Sequence, residues 1–366
     1  MISENLRSRE LAVFNLRGLY KKYGFLPYKM SKFEEYDLYV KNKDFLVSDN
    51  IITFTDTDGK LLALKPDVTL SIIKNTKDDF CGVKKVFYDE NVYRVSKGTG
   101  SYKEIMQAGL ECIGDIDDYN IYEVISLAAQ SLELLSDDFI LDISHLGIVS
   151  LVLDSLDLTE IAKRELLSAI SEKNSSRAYE ICKNENVSDS DINLLISSYG
   201  KPQDVIENLK KIESVKNSEA LAQLVKITTL LLDSSFGDKI RIDFSVINDM
   251  GYYNGFVFRG FINGISSGIL SGGQYDALMH KMKHTSRAIG FAVYIDMLPT
   301  PAPLYDVDTV LLYDESCDLK TLKEAIDTLT KDGKSVSAQT RLDEKLMYKQ
   351  LLRISEKGVL EVENDA

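Results

Sequence analysis

Glycine is spread unevenly along this 366-residue chain, and that unevenness constrains the fold more than any single motif. Between residues 119 and 236 the glycines are Gly147 and Gly200, while Leu and Ile recur at three- and four-residue spacing, as in Leu221, Leu224, Val225, Ile227, Leu230 and Leu231. That period belongs to helices with one buried face. On either side the texture is that of short strands and turns, and five of the 21 glycines fall between Gly251 and Gly268. The pattern predicts a strand-rich unit interrupted by a helical insertion over about 145–236, with a short strand near Phe139–Ile143 and a break at Pro202.

Within the flanking parts the local signals are specific. Leu11, Phe14, Leu16, Leu19 and Tyr20 give helical spacing over 9–23, and Gly24 stands at the stopping position. Ile51–Thr55 and Leu61–Leu64 flank Asp56-Thr57-Asp58-Gly59, a hairpin signal. Val83–Phe87, Val92–Val95 and Ile105–Ile113 are expected strands, the last two joined by a loop through Lys97–Gly100. Three of the six prolines stand in Pro299-Thr300-Pro301-Ala302-Pro303, a stiff linker that ends a first domain at residue 298. Beyond it, Thr309–Tyr313, Leu319–Thr330, Ser335–Ala338, Asp343–Ile354 and Val359–Val362 alternate as β-α-β-α-β, which predicts a small parallel α/β domain over 304–366.

Charge and motif content exclude several classes of function. Lys+Arg number 43 against 57 Asp+Glu, a net charge of −14 that disfavours nucleic acid as a partner. Cys81, Cys112, Cys182 and Cys317 are scattered without C-x-x-C spacing and are expected as free thiols in a reducing cytoplasm. No apolar run reaches the ~18 residues of a membrane span, and the N-terminus has no signal-peptide core, so a soluble cytoplasmic protein is expected. There is no P-loop, H-E-x-x-H or G-x-S-x-G string. His280 and His284 fall at i, i+4 on an expected helix, but Lys281, Lys283 and Arg287 make that a solvated basic face rather than a metal site. No metal and no cofactor are expected.

Four separated strings carry the chemistry. They are Leu64–Thr69 (LKPDVT), Tyr93–Ser96 with Gly100–Gly114 (GSYKEIMQAGLECIG), Gly251–Phe258 (GYYNGFVF), and Leu270–Asp276 (LSGGQYD) followed by Ala288–Ala292 (AIGFA). In this order they resemble the core of the histidyl-tRNA synthetases and of their relatives, the regulatory subunits of ATP phosphoribosyltransferase, over roughly residues 1–298. The resemblance implies an α+β fold of class II aminoacyl-tRNA synthetase type: an antiparallel sheet flanked by helices, with a helical insertion. It also implies that the C-terminal domain is a reduced anticodon-binding module.

A receptor for histidine needs an acid for the ammonium, amides or hydroxyls for the other polar atoms, and aromatic walls. Asp67 and Glu111 meet the first demand and Gln107 the second; Gln107 and Glu111, four apart on a strand, point to one face. Tyr252 and Tyr253 can supply wall and hydroxyl, although strand neighbours face opposite ways and one of the two is expected to be structural. By the resemblance, Asp67 stands where a glutamate meets the substrate amino group, and Thr69, Gln107, Glu111, Tyr252 and Tyr253 match histidine-binding positions.

The same comparison finds the triphosphate machinery depleted. Arg94 survives, while the positions of the other synthetase motif residues hold Ser96, Ser101, Lys103, Asn248, Gln274 and Met297. Each missing cation costs a few kcal/mol at a developing phosphate charge, so adenylation is expected to be lost and Arg94 is left as a residual phosphate contact. The resemblance therefore implies a non-catalytic regulatory subunit that assembles, as a homodimer within a hetero-oligomer, with the short-form ATP phosphoribosyltransferase catalytic subunit and relays histidine feedback. A divergent histidyl-tRNA synthetase and a free-standing histidine-sensing adaptor are the alternatives.

Overall fold

The structure, a computed structural model, describes residues 8–42, 51–77, 82–95, 99–247, 252–299, 305–331, 333–354 and 360–363. The chain divides into two compact units, Met1–Pro299 and Thr300–Ala366. Of the sequence features above, Cys81, Ser96, Asn248 and most of the proline-rich stretch lie outside the described residues.

The first unit is built on a nine-stranded sheet in the order Leu26–Pro27, Val83–Val95, Tyr102–Gly114, Arg287–Tyr294, Leu270–Gln274, Phe256–Ile262, Phe139–His145, Ile240–Asp243, Tyr199–Gly200. Its centre is antiparallel, but Leu26–Pro27 pairs parallel with the Val83–Val95 strand and Ile240–Asp243 pairs parallel with Phe139–His145. The sheet is thus mixed towards its ends, where an antiparallel sheet was expected. The runs Val83–Phe87 and Val92–Val95 merge into one thirteen-residue strand paired along its length with Tyr102–Gly114. The polar link between them stays in the strand because each charge finds a partner: Arg17 holds Asp89, and the buried Lys65 ammonium lies 3.1 Å from Glu90.

Helices close the sheet. The N-terminal helix Ser8–Lys22 buries Ala12, Val13, Leu16 and Tyr20 and stops before Gly24, whose φ of +80° is the left-handed conformation that glycine tolerates. Phe14, counted above with its apolar face, is exposed. Asp118–Glu133 starts from a capping box between Asp117 and Asn120. Between Leu146 and Leu232 the described residues form six helices, three of them capped by Thr159, Asn174 and Ser218, and Pro202 sits in the first turn of a helix rather than ending one. The hairpin signal at Asp56–Gly59 joins Thr53–Thr55 to Leu61–Leu64, with the Asp56 side chain accepting from Asp58 and Lys60 N–H groups and Gly59 at φ +81°.

Two local expectations fail. The helix Asp276–Lys281 ends before His284, so His280 and His284 do not share a helical face; Lys283, at φ +67°, has already turned the chain. In the second unit, 343–354 is not a helix: Tyr348–Ile354 is a strand, parallel to Val307–Tyr313, which also pairs parallel with Val336–Gln339. Leu360–Glu363 adds antiparallel, so this sheet is mixed rather than parallel. The misreading has a physical source. Leu352 and Ile354 pack on one side with Leu311 while Leu351 packs on the other with Val310, and a strand buried on both faces loses its two-residue alternation. A helix over Asp343–Ile354 would have set Lys345, Lys349 and Arg353 on one basic face; in the strand Tyr348–Ile354 no such helical face exists.

Candidate functional site

A cavity of about 190 Å³ opens in the first unit between four strands (Val83–Val95, Tyr102–Gly114, Leu270–Gln274 and Arg287–Tyr294) and the start of the helix Val68–Lys74. Asp67, Thr69, Arg94, Gln107, Glu111, Tyr252 and Tyr253, drawn from four distant parts of the sequence, all line it. Its floor is hollow because the strands place their smallest residues there. A Cβ on Gly109 would come within 2.2 Å of the Phe291 carbonyl oxygen and 2.6 Å of the Tyr88 hydroxyl. On Gly290 it would fall 1.8 Å from Glu111 Oε2. Gln107 and Glu111 face the cavity together, and so do their partners across the ladder, Tyr294 and Gly290.

Glu111 is the deepest charged group. It is 2% exposed, and both oxygens are engaged by hydroxyls: Thr69 Oγ1 donates to Oε1 at 2.8 Å and the Tyr275 hydroxyl donates to Oε2 at 2.6 Å. Burial pushes its carboxyl up to about 8, against those two hydrogen bonds, and the nearby Asp67 charge adds to the rise. Asp67 caps the helix Val68–Lys74, accepting the Leu70 N–H at 2.8 Å, with Pro66 before it. Burial raises the Asp67 carboxyl as well, opposed by the Leu70 hydrogen bond and by the Arg94 charge. Arg94 is anchored over this turn, its Nε donating to the Pro66 carbonyl at 3.0 Å.

Aromatic rings form the walls. Tyr252 and Tyr253 both line the cavity, their ring centroids 4.6 Å apart, and Tyr252 lies 6.0 Å from Tyr275. The expectation that one of the pair is structural assumed a strand, but both precede the strand that begins at Phe256, so the two-residue alternation does not bind them. Burial drives the Tyr88, Tyr252 and Tyr275 hydroxyls well above their ordinary range, which leaves them as neutral hydrogen-bonding groups.

Among the lining residues Arg94 is the one cation. Lys65 is fully buried and committed to Glu90. Ser101 and Lys103 are exposed, and neither they nor Met297 line the cavity. Gln274 is also absent from the lining. Its Oε1 accepts the Phe256 N–H at 2.8 Å, and Gly255 leaves room for it, so this side chain is held by the neighbouring strand. Sequence reasoning missed Tyr88, Ser271, Tyr275 and Tyr294. Parity could have found the first: Tyr88 lies an even step from Arg94 on one strand.

A sequence model described as histidyl-tRNA synthetase matches residues 2–298. The ATP phosphoribosyltransferase regulatory subunit of Clostridium kluyveri is 30% identical over 346 residues, which cover 90% of this chain and 88% of that protein. A crystal structure described as an ATP phosphoribosyltransferase regulatory subunit/histidyl-tRNA synthetase from Bacillus halodurans C superposes with a TM-score of 0.78 at 26% identity, covering 94% of this chain and 93% of that one. A chain of the ATP phosphoribosyl transferase complex from Thermotoga maritima shares the fold, with a TM-score of 0.64 at 20% identity over 78% of this chain and 97% of that one. The chain belongs to the histidyl-tRNA synthetase family, with its class II synthetase fold, and within it to the ATP phosphoribosyltransferase regulatory subunits.

Proposed function

We propose that this chain is the non-catalytic member of a two-protein ATP phosphoribosyltransferase. It assembles with a short-form catalytic subunit, is required for that subunit's activity, and relays inhibition by histidine held in the cavity, at the first step of histidine biosynthesis. The observation that carries the proposal is one cavity that gathers Asp67, Thr69, Gln107, Glu111, Tyr252 and Tyr253 around a single cation, Arg94. Two carboxylates, an amide and tyrosines suit a small zwitterion with a second polar end. Stabilising a triphosphate while charge builds at the α-phosphate calls for several preorganised cations, each worth a few kcal/mol. With Lys65 committed to Glu90, no such set lines the cavity among the described residues, and synthetase activity is expected to be lost.

The relay is a linkage: histidine stabilises one assembly state over another, and the two binding equilibria shift each other by the same factor. A homodimer inside the hetero-oligomer and a cytoplasmic location belong to the same proposal. Nucleic acid is not expected as a partner of a chain with net charge −14.

The test is reconstitution. Mixed with a purified short-form catalytic subunit, this chain should confer ATP phosphoribosyl transfer and make it sensitive to histidine. Asp67→Ala and Glu111→Ala should keep the activation yet raise the histidine requirement roughly 5- to 150-fold, the ~1–3 kcal/mol of stranding a buried polar partner. If the two proteins neither associate nor alter each other's activity, a free-standing histidine-sensing adaptor takes the place of this proposal.

A further inference from the structure

The sheet face that floors the cavity runs on past it. Across that face Gly290 stands beside Glu111, Ala292 beside Gly109 and Tyr294 beside Gln107. On the next strand Ser271 stands beside Ala292, and after it come Arg259, Asp142 and Arg241, each paired with the one before. A hollow floor of small residues thus gives way to a row of charges. Tyr294 stands on the boundary. Its backbone N–H donates to the Ile269 carbonyl at 2.8 Å, so reaching Ser271 takes the side chain diagonally back towards the small Ala292. There the two hydroxyls lie 3.0 Å apart, and the half-buried ring becomes a bar between the floor and the charged row.

The bar lies at the end of the cavity where a ligand carboxylate belongs. Arg94, the one cation in the lining, pairs across its hairpin with Lys103, which is farther from Glu111 than Gln107 is. Gln107 and Glu111 are themselves ~13 Å apart along the strand, so the cation and the deep carboxyl serve opposite ends of a ligand. Tyr294, the cross-strand neighbour of Gln107, shares the Arg94 end. A cavity of about 190 Å³ is also smaller than the ~300–1,000 Å³ usual for drug-sized ligands. A free carboxylate fits such an end. A ligand whose carboxyl carbon continues into a substituted amide, an ester or an acyl phosphate must drive its extra atoms into the ring.

We infer that Tyr294, tethered by Ser271, is a specificity-determining residue: it admits histidine as the free amino acid and turns away histidine whose α-carboxyl carries a further group. The inference rests on histidine as the ligand of this cavity and adds which chemical forms of it are read. Excising the ring joins the floor to the charged row and gives the extra atoms somewhere to go.

Calorimetry with L-histidine, L-histidinamide and L-histidylglycinamide tests this. The two amides carry the same charge and differ in size at the carboxyl end, so the ratio of their affinities isolates the wall from the loss of the Arg94 partner. In the native chain histidylglycinamide should bind at least tenfold more weakly than histidinamide, the scale of forcing atoms into a packed wall. A smaller difference would overturn the inference. Tyr294→Ala should shrink that ratio at least threefold; a lesser change would assign the limit to another wall and overturn it too. Ser271→Ala excises the tether alone and should shrink the ratio at least twofold. If Tyr294→Ala does not fold, an unmoved ratio in Ser271→Ala overturns the bar by itself. Both ligands are measured on one protein, so a general loss of affinity cancels. Absence of L-histidine binding to the native chain would overturn the reading beneath the inference. Firm histidine binding with no discrimination between the amides would overturn the role of Tyr294 alone.

Discussion

Replacing Tyr275 by phenylalanine isolates the hydrogen bond that should matter most to a bound ligand. The ring is fully buried against Tyr252, so phenylalanine keeps the packing and removes one donor, the hydroxyl 2.6 Å from Glu111 Oε2. In the empty cavity, where Glu111 is largely protonated at neutral pH, that bond is an ordinary one worth ~0.5–1.5 kcal/mol. With a cationic group against Glu111 the carboxyl is ionised, and the same bond is worth ~1.5–3 kcal/mol. Only the difference enters the affinity, so histidine binding should weaken by about 1–1.5 kcal/mol, roughly 5- to 12-fold. Stability at pH 7 should fall by no more than the smaller figure. Calorimetry for affinity and a thermal melt for integrity decide the matter. A well-folded variant whose affinity lies within twofold of the native chain would show that the ligand leaves the Glu111 carboxyl uncharged or does not reach it.

Three other perturbations test the same physical account. Gly290→Ala places a Cβ 1.8 Å from Glu111 Oε2 and 2.5 Å from the Leu110 carbonyl oxygen, so the carboxyl must be evicted; histidine binding should drop more than about 100-fold, with ~1–3 kcal/mol lost in denaturant unfolding. Lys65→Met strands the Glu90 carboxylate beside a buried apolar chain and should cost ~3–5 kcal/mol, most of it recovered when Glu90→Leu is added, as chemical denaturation will show. The raised Glu111 carboxyl makes unligated stability fall with pH. The unfolded chain loses this proton near 4.5 and the folded one near 8, so the contribution is whole below 4.5 and is lost as pH rises to 8. The loss is at most about 5 kcal/mol, should vanish in Glu111→Gln, and is read from melts across that range.

Some of this site was legible in the residues and some was not. Gln107 and Glu111 could be placed on one face because a strand alternates by two whatever its surroundings. Asp67 was singled out by its charge and by the resemblance, and its second role, capping the helix Val68–Lys74, emerged only with the structure. Tyr252 and Tyr253 defied the same rule because they lie before their strand, and no periodicity governs a loop. Tyr275 was not singled out because it follows the strand Leu270–Gln274 and stands at the start of the helix Asp276–Lys281, where no alternation places a side chain. In the second unit the two-sided burial of Leu351 and Leu352 erased the alternation that distinguishes strand from helix. At Gln274, where the resemblance implies an arginine, the side chain bonds the Phe256 N–H, a partner that no periodicity in the sequence announces.

The account depends on a cavity that still recognises histidine while the charges for handling a triphosphate are gone. ATP–pyrophosphate exchange, measured with labelled pyrophosphate at histidine concentrations shown by calorimetry to saturate the chain, tests that claim most directly. The expected result is no exchange above the protein-free blank. Exchange that requires both ATP and histidine would contradict the account and return the chain to the working synthetases.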